Sequence, residues 1–128
     1  MYDRDLVIEI FRQIHHACLV VKERFRPIRS VEDFTGSPAG MEKLDAICMQ
    51  LIAIGESLKK VDTITDGRLL PHYPDVDWKR AKGMRDILSH HYFDLNADAI
   101  YDVCETKMAN MAQSIDRILH DLSEKESK

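Results

Sequence analysis

Long apolar runs are missing from this 128-residue chain. Its densest stretch, Ile47 to Ile54, is interrupted by Gln50 and falls far short of the roughly 20 residues that a membrane-crossing helix needs. Sustained polar–apolar alternation is missing too, which removes strands as the source of a core, and no internal repeat is present. Cysteine is scarce: Cys18, Cys48 and Cys104 stand far apart among apolar neighbours. Such a set builds neither a disulfide framework nor a zinc knuckle, and reads as buried free thiols in a reducing compartment. There is no Gly-rich phosphate loop and no G-x-S-x-G elbow, and no bound cofactor is expected. Met1-Tyr2-Asp3-Arg4-Asp5 enters a helix pattern at once, without the apolar core and small-residue cleavage site of a secretory signal. The expectation is a cytoplasmic protein with no membrane association.

What is present fits one globular domain over residues 1–128. Apolar residues make up 45% and charged residues 31%, which excludes both a disordered and a membrane-embedded chain. A net charge of −4 argues against a long electrostatic track along nucleic acid. The charge is uneven, however. Lys79, Arg80, Lys82 and Arg85 face Asp86 alone between residues 79 and 91, and Lys22, Arg24, Arg26 and Arg29 face Glu23 between 22 and 29. Basic clusters are usually solvated helix faces. The first gains weight because it surrounds the candidate site below.

Periodicity predicts four main helices. Leu6, Val7, Ile10, Phe11, Ile14, Cys18, Val21 and Phe25 recur at three- and four-residue steps, and Pro27 stops that helix near Arg26. A short helical turn is expected over Ser30–Phe34. Ser37 and Pro38 then supply a cap and a first helical residue for a second long helix, reaching to about Val61. On it, Leu44, Ile47, Leu51, Ile54 and Leu58 form one apolar stripe, while Met49, Ile52 and Ala53 form another, predicting burial on two sides. Asp75 or Asp77 can cap a third helix carrying Trp78, Ala81, Met84 and Leu88. The last helix begins at Asn96 and runs through Leu122, with a polar tail over 123–128 expected to fray. Met41, Met49, Met84, Met108 and Met111 are read as core filler. The fold class is therefore all-α, a four-to-five-helix up-and-down bundle.

Chemistry concentrates in Gly83-Met84-Arg85-Asp86-Ile87-Leu88-Ser89-His90-His91-Tyr92-Phe93. Arg85 supplies a permanent charge for a phosphate, His90 can move a proton near neutral pH, and the Tyr92 phenol stands beside both. On an unbroken helix, five residues leave Arg85 and His90 about 140° apart. They serve one phosphate only if the helix ends near Ser89 or if two copies meet across a two-fold axis. An isolated Arg and His at this spacing more often mean a satisfied helix-end histidine. Two features shift the balance. Gly55 interrupts a strong helix at a cost of about 1 kcal/mol, which points to close backbone packing. Beside it, the Glu56 carboxylate needs a partner, and Arg85 is the candidate; an edge position in solvent is the alternative. Asp86, four residues before His90, can orient the imidazole. His15, His16 and Cys18 do not converge on a helix, and no second Glu-x-x-His pair joins Asp86 and His90, so no metal site is expected.

Three blocks in order, Leu51–Lys60 with Ile54-Gly55-Glu56, Tyr73-Pro74…Trp78…Gly83-Met84-Arg85, and Arg85-x4-His90-x-Tyr92, resemble the HEPN superfamily and within it the HepT-type toxins of toxin–antitoxin pairs. The chain departs from that pattern at Asp86, where the family often has Asn, and at His91, where it commonly has Gly. The resemblance implies an obligate homodimer lining one cleft with both motif segments. It further implies RNA (tRNA or mRNA) as substrate, and an antitoxin, a minimal nucleotidyltransferase, that adds AMP to Tyr92. A metal-independent endoribonuclease using Arg85 and His90 is the leading expectation. A catalytically inactive module that binds a nucleotide or the transferase is the alternative, and a plain oligomerisation protein is a third.

Overall fold

Asp3 opens the first helix, its carboxylate accepting the Leu6 N–H at 3.1 Å. The computed structural model describes residues 2–90 and 96–126. Helix α1 spans Arg4–Phe25 and ends at Arg26, one residue before Pro27. Val7, Phe11, Ile14, Cys18 and Val21 are buried along its length, the face that the three- and four-residue spacing predicts. Helix α2, Val31–Thr35, buries Phe34 completely. The Phe34 ring joins those of Phe25 and Tyr101, and the Tyr101 hydroxyl donates to the Arg29 carbonyl at 2.9 Å. That is the ordinary backbone-capping role for a phenol at a core edge.

Helix α3 spans Pro38–Thr65. Ser37 caps it by accepting the Gly40 N–H at 3.0 Å, with Pro38 as the first helical residue. It runs four residues past the expected stop near Val61. Thr63 and Thr65 return their hydroxyls to carbonyls one turn back, and the chain leaves the helix at Asp66 and Gly67, with φ of 56° and 68°.

A 3₁₀ turn, Leu70–His72, leads to Tyr73, whose carbonyl accepts the Trp78 indole N–H at 2.8 Å. The Tyr73 hydroxyl donates to Asp121 at 2.7 Å. Asp77, rather than Asp75, caps the next helix by accepting the Arg80 N–H, while the Asp75 carboxylate pairs with Arg117. Helix α4 covers Trp78–His90 and packs antiparallel on α3. Asn96 caps helix α5, Ala97–Asp102, through the Ala99 N–H. A wider π turn over Val103–Lys107 joins it to helix α6, Met108–Glu126, which continues into the segment expected to fray.

The fold is an all-α bundle whose core joins α1, α3 and α6, with α4 laid against α3. All three cysteines are buried and free. No helix among the described residues is long and apolar enough to cross a membrane. One expectation fails: the second apolar stripe of α3 is not covered. Met49 is 64% exposed, Ala53 is exposed, and Ile52 is half-buried. Met41 is exposed as well, whereas Met108 and Met111 fill core. Those long helix faces lie on the outside of the chain because α4 covers only the strip through Gly55, Lys59 and Asp62.

Candidate functional site

Gly55 sets the site. A β-carbon there would stand 2.7 Å from the Arg85 Cβ and 3.1 Å from the Ala81 carbonyl oxygen, so α4 approaches α3 more closely than any other residue would permit. This contact brings Lys82, Arg85 and Asp86 of α4 against α3 and places Arg85 beside Glu56.

Arg85 Nε lies 2.6 Å from Glu56 Oε2, an ion pair without a directed hydrogen bond from the buried Nε–H. At the other end of the guanidinium, Nη1 donates to Asp86 Oδ1 at 3.1 Å. Asp86 in turn accepts from Lys59 Nζ through both oxygens, each at 2.9 Å. One turn along, Lys82 pairs with Asp62. The α3 contributors, Glu56, Lys59 and Asp62, recur every three residues with alternating sign, and α4 answers with Arg85, Asp86 and Lys82. Hydrogen bonding from Lys59 and then from Arg85 holds the Asp86 carboxyl below the usual aspartate range. The Asp86 hydrogen bond and the Glu56 charge raise Arg85 further, so its charge is permanent. Lys59 and Asp62 were not foreseen as part of the site. Their signal in the sequence was the alternating charge at three-residue steps on one helix.

His90 closes α4. Its Nδ1 lies 2.9 Å from the Asp86 carbonyl oxygen. A carbonyl only accepts, so Nδ1 carries the proton in this contact, which leaves Nε2 as the one ring nitrogen that can act as a proton acceptor. The expectation that the Asp86 carboxylate orients the imidazole is thus corrected: the backbone of Asp86 does so, and its carboxylate serves Lys59 and Arg85. The helix also does not end before His90. With α4 continuous through His90, Arg85 and His90 leave the helix about 140° apart, and one copy does not aim both at one phosphate. His91 and Tyr92, together with the turn expected at Asp94, lie outside the described residues. Among the described residues no group of three His, Cys, Asp or Glu side chains gathers to hold a metal ion.

The blocks around Tyr73 and Trp78 are structural. Both aromatic residues are buried and clamp the connection before α4, and Arg117 stands 5.7 Å above the Tyr73 ring. They fix where α4 starts and hence where Arg85 falls against Gly55.

A family described as Ribonuclease HepT-like matches residues 14–118. Relatives in Methanocaldococcus jannaschii include "Putative RNase MJ0127", 34% identical over 77 residues, and "Putative RNase MJ0125", 29% identical over 80 residues. The first match covers 60% of this chain and 60% of the relative, and the second 62% and 66%. The chain thus spans less than two thirds of the relatives' length. No solved structure matches it.

Proposed function

We propose a function from one premise: the chain belongs to the HepT-like ribonuclease family. It is an endoribonuclease that needs no metal, cutting RNA by attack of a 2′-hydroxyl on the adjacent phosphorus. The observation that carries this reading is the seating of Arg85 at Gly55, beside a helix end whose histidine holds its proton on Nδ1 and turns Nε2 outward. His90 Nε2 accepts the 2′-hydroxyl proton, and the Arg85 guanidinium stabilises the charge that gathers on the phosphorane oxygens. The bond from phosphorus to the 5′ oxygen breaks as the 2′ oxygen bonds, leaving a 2′,3′-cyclic phosphate and a 5′-hydroxyl that takes its proton from water, and the His90 imidazolium returns its own proton to solvent. DNA lacks the nucleophile and is not cut.

A homodimer completes the site. Because Arg85 and His90 diverge on one helix, a second copy must supply the complementary half. The uncovered apolar residues Met49 and Ala53 on α3 and Ile87 on α4, the last 60% exposed, give such a contact its hydrophobic surface. As a toxin, the protein is silenced by a partner nucleotidyltransferase that transfers AMP from ATP to the Tyr92 hydroxyl, which gives up its proton as pyrophosphate leaves. That bulky anion sits in the locally basic neighbourhood where Arg85 would take a phosphate. Cytoplasmic RNA, tRNA or mRNA, is the substrate class.

One observation favours the inactive binding module instead: Arg85 is already flanked by two carboxylates. The deciding experiment is cleavage of total RNA by the purified wild-type chain and by His90→Ala. Cleavage that disappears in the variant supports the nuclease. No cleavage by either, with transferase binding intact in both, replaces it with the binding module.

A further inference from the structure

The phosphate site at Arg85 is occupied from within. Glu56 sits at Nε, the inner edge of the guanidinium, and leaves the two terminal nitrogens for a ligand. Asp86 then takes Nη1. A substrate phosphate approaching the terminal nitrogens meets a carboxylate of the same sign already in place. Two like charges at that range repel strongly, and both cannot use one N–H. What happens to Asp86 therefore decides whether Arg85 is available.

Lys59 provides the way out. Its ammonium reaches both Asp86 oxygens at 2.9 Å, while Arg85 shares only Oδ1. Asp86 can give up Arg85 and remain paired. It needs no change of position on the helix, and its charge stays compensated when a phosphate arrives alongside. Without Lys59, the same carboxylate would have Arg85 as its sole cation among these contacts and would hold it more firmly.

Resting on the reading of Arg85 as the phosphate-binding residue, we infer that Asp86 is a built-in competitor for the substrate phosphate, and that Lys59 is a positioning residue that draws Asp86 off Arg85. Neither role requires Lys59 to touch substrate. Asp86→Asn keeps the size and the hydrogen-bonding oxygen while removing the charge, so it frees the guanidinium. Lys59→Met does the reverse, and Lys59→Arg keeps the cation.

The test titrates inorganic phosphate into the full chain and follows the side-chain N–H signal of Arg85 by NMR, assigned by its loss in Arg85→Lys. Phosphate affinity at Arg85 is expected to rise by up to about fivefold in Asp86→Asn, the range that removing one exposed competing ion pair gives. It should fall by a similar factor in Lys59→Met and recover in Lys59→Arg. In the Asp86→Asn background, Lys59→Met should have little further effect. Unchanged affinity in Asp86→Asn, or no saturable phosphate shift at Arg85 in any variant, overturns the inference. So does a Lys59→Met loss that persists undiminished beside Asp86→Asn, which marks direct contact between Lys59 and phosphate. RNA cleavage by wild type against His90→Ala is measured in parallel. It reports on the nuclease reading alone, so the two ideas fail separately.

Discussion

At the scale of single residues, the proposed mechanism divides the chemistry between His90 and Arg85 according to what each side chain can do. Replacing His90 with Ala removes the proton acceptor but touches only an exposed helix end, so the fold should persist while cleavage falls by about 10²–10⁴. Circular dichroism and a fluorescent RNA substrate check both halves. Arg85→Lys should also lose most cleavage, because an ammonium cannot rest against Glu56 and still present a planar pair of donors. Product analysis should find 2′,3′-cyclic ends after reaction in EDTA; activity lost to chelator and restored by a divalent ion would contradict the mechanism. The cysteines behave oppositely to reactive thiols. Burial raises Cys18 from 9.0 to about 12, Cys48 to about 11 and Cys104 to about 12. A thiol whose folded value lies above its unfolded one favours the folded state in its neutral form. Their contribution is therefore full below about pH 8.5 and is lost as pH rises through the folded values. Denaturant melts at pH 7, 9 and 10.5 should show falling stability, and iodoacetamide should label none of the three until the chain unfolds.

At the scale of elements, the two glycines of the α3–α4 pair make a sharp contrast. Gly55 faces Arg85 Cβ at 2.7 Å, while a β-carbon on Gly83 would meet nothing within 4 Å. Gly55→Ala should destabilise the protein by about 1–3 kcal/mol through overpacking and displace Arg85. Gly83→Ala, in mid-helix with open space, should stabilise the single chain by about 1 kcal/mol. Urea melts of the two variants settle the matter, and equal effects would refute the idea that Gly55 alone governs the approach of the helices. Much at this scale was legible beforehand. Ser37, Pro38, the pair Asp75 and Asp77, and Asn96 announced helix starts because capping is a local exchange between a side chain and an N–H two or three residues on. The extra turn of α3 to Thr65 was not, since threonine hydroxyls bonding back to the helix give no apolar period to read.

For the whole molecule, the decisive question is what covers Met49, Ala53 and Ile87. An apolar stripe in the sequence says that water is to be excluded, and does not say whether the cover comes from the same chain. We expect a dimer in sedimentation experiments at micromolar concentration, weakened by Met49→Glu and by Ile87→Lys while helix content is retained. A monomeric wild-type chain that cleaves RNA would sink the paired-site arrangement. Co-expression with a neighbouring nucleotidyltransferase should add mass in whole AMP units, lost in Tyr92→Phe; AMP mapped to Tyr73 or Tyr101 would redirect the modification. The structure makes those two poor acceptors, since Tyr73 donates to Asp121 and Tyr101 to Arg29.

The sequence by itself determined the main helices, the first buried face of each, the three inert thiols and Arg85 as the candidate partner of Glu56, with a solvent-edge position for that carboxylate left open. Each follows from short-range spacing or from a charge that needs a neighbour. Tertiary structure alone decided that Asp86 serves Lys59 and Arg85 through its carboxylate while its carbonyl holds His90. It also decided that the second stripe of α3 stays open. Both depend on the rotation and depth at which α4 meets α3, set by Gly55 and by the Tyr73–Trp78 clamp, and no periodicity along one strand of sequence encodes the angle between two helices.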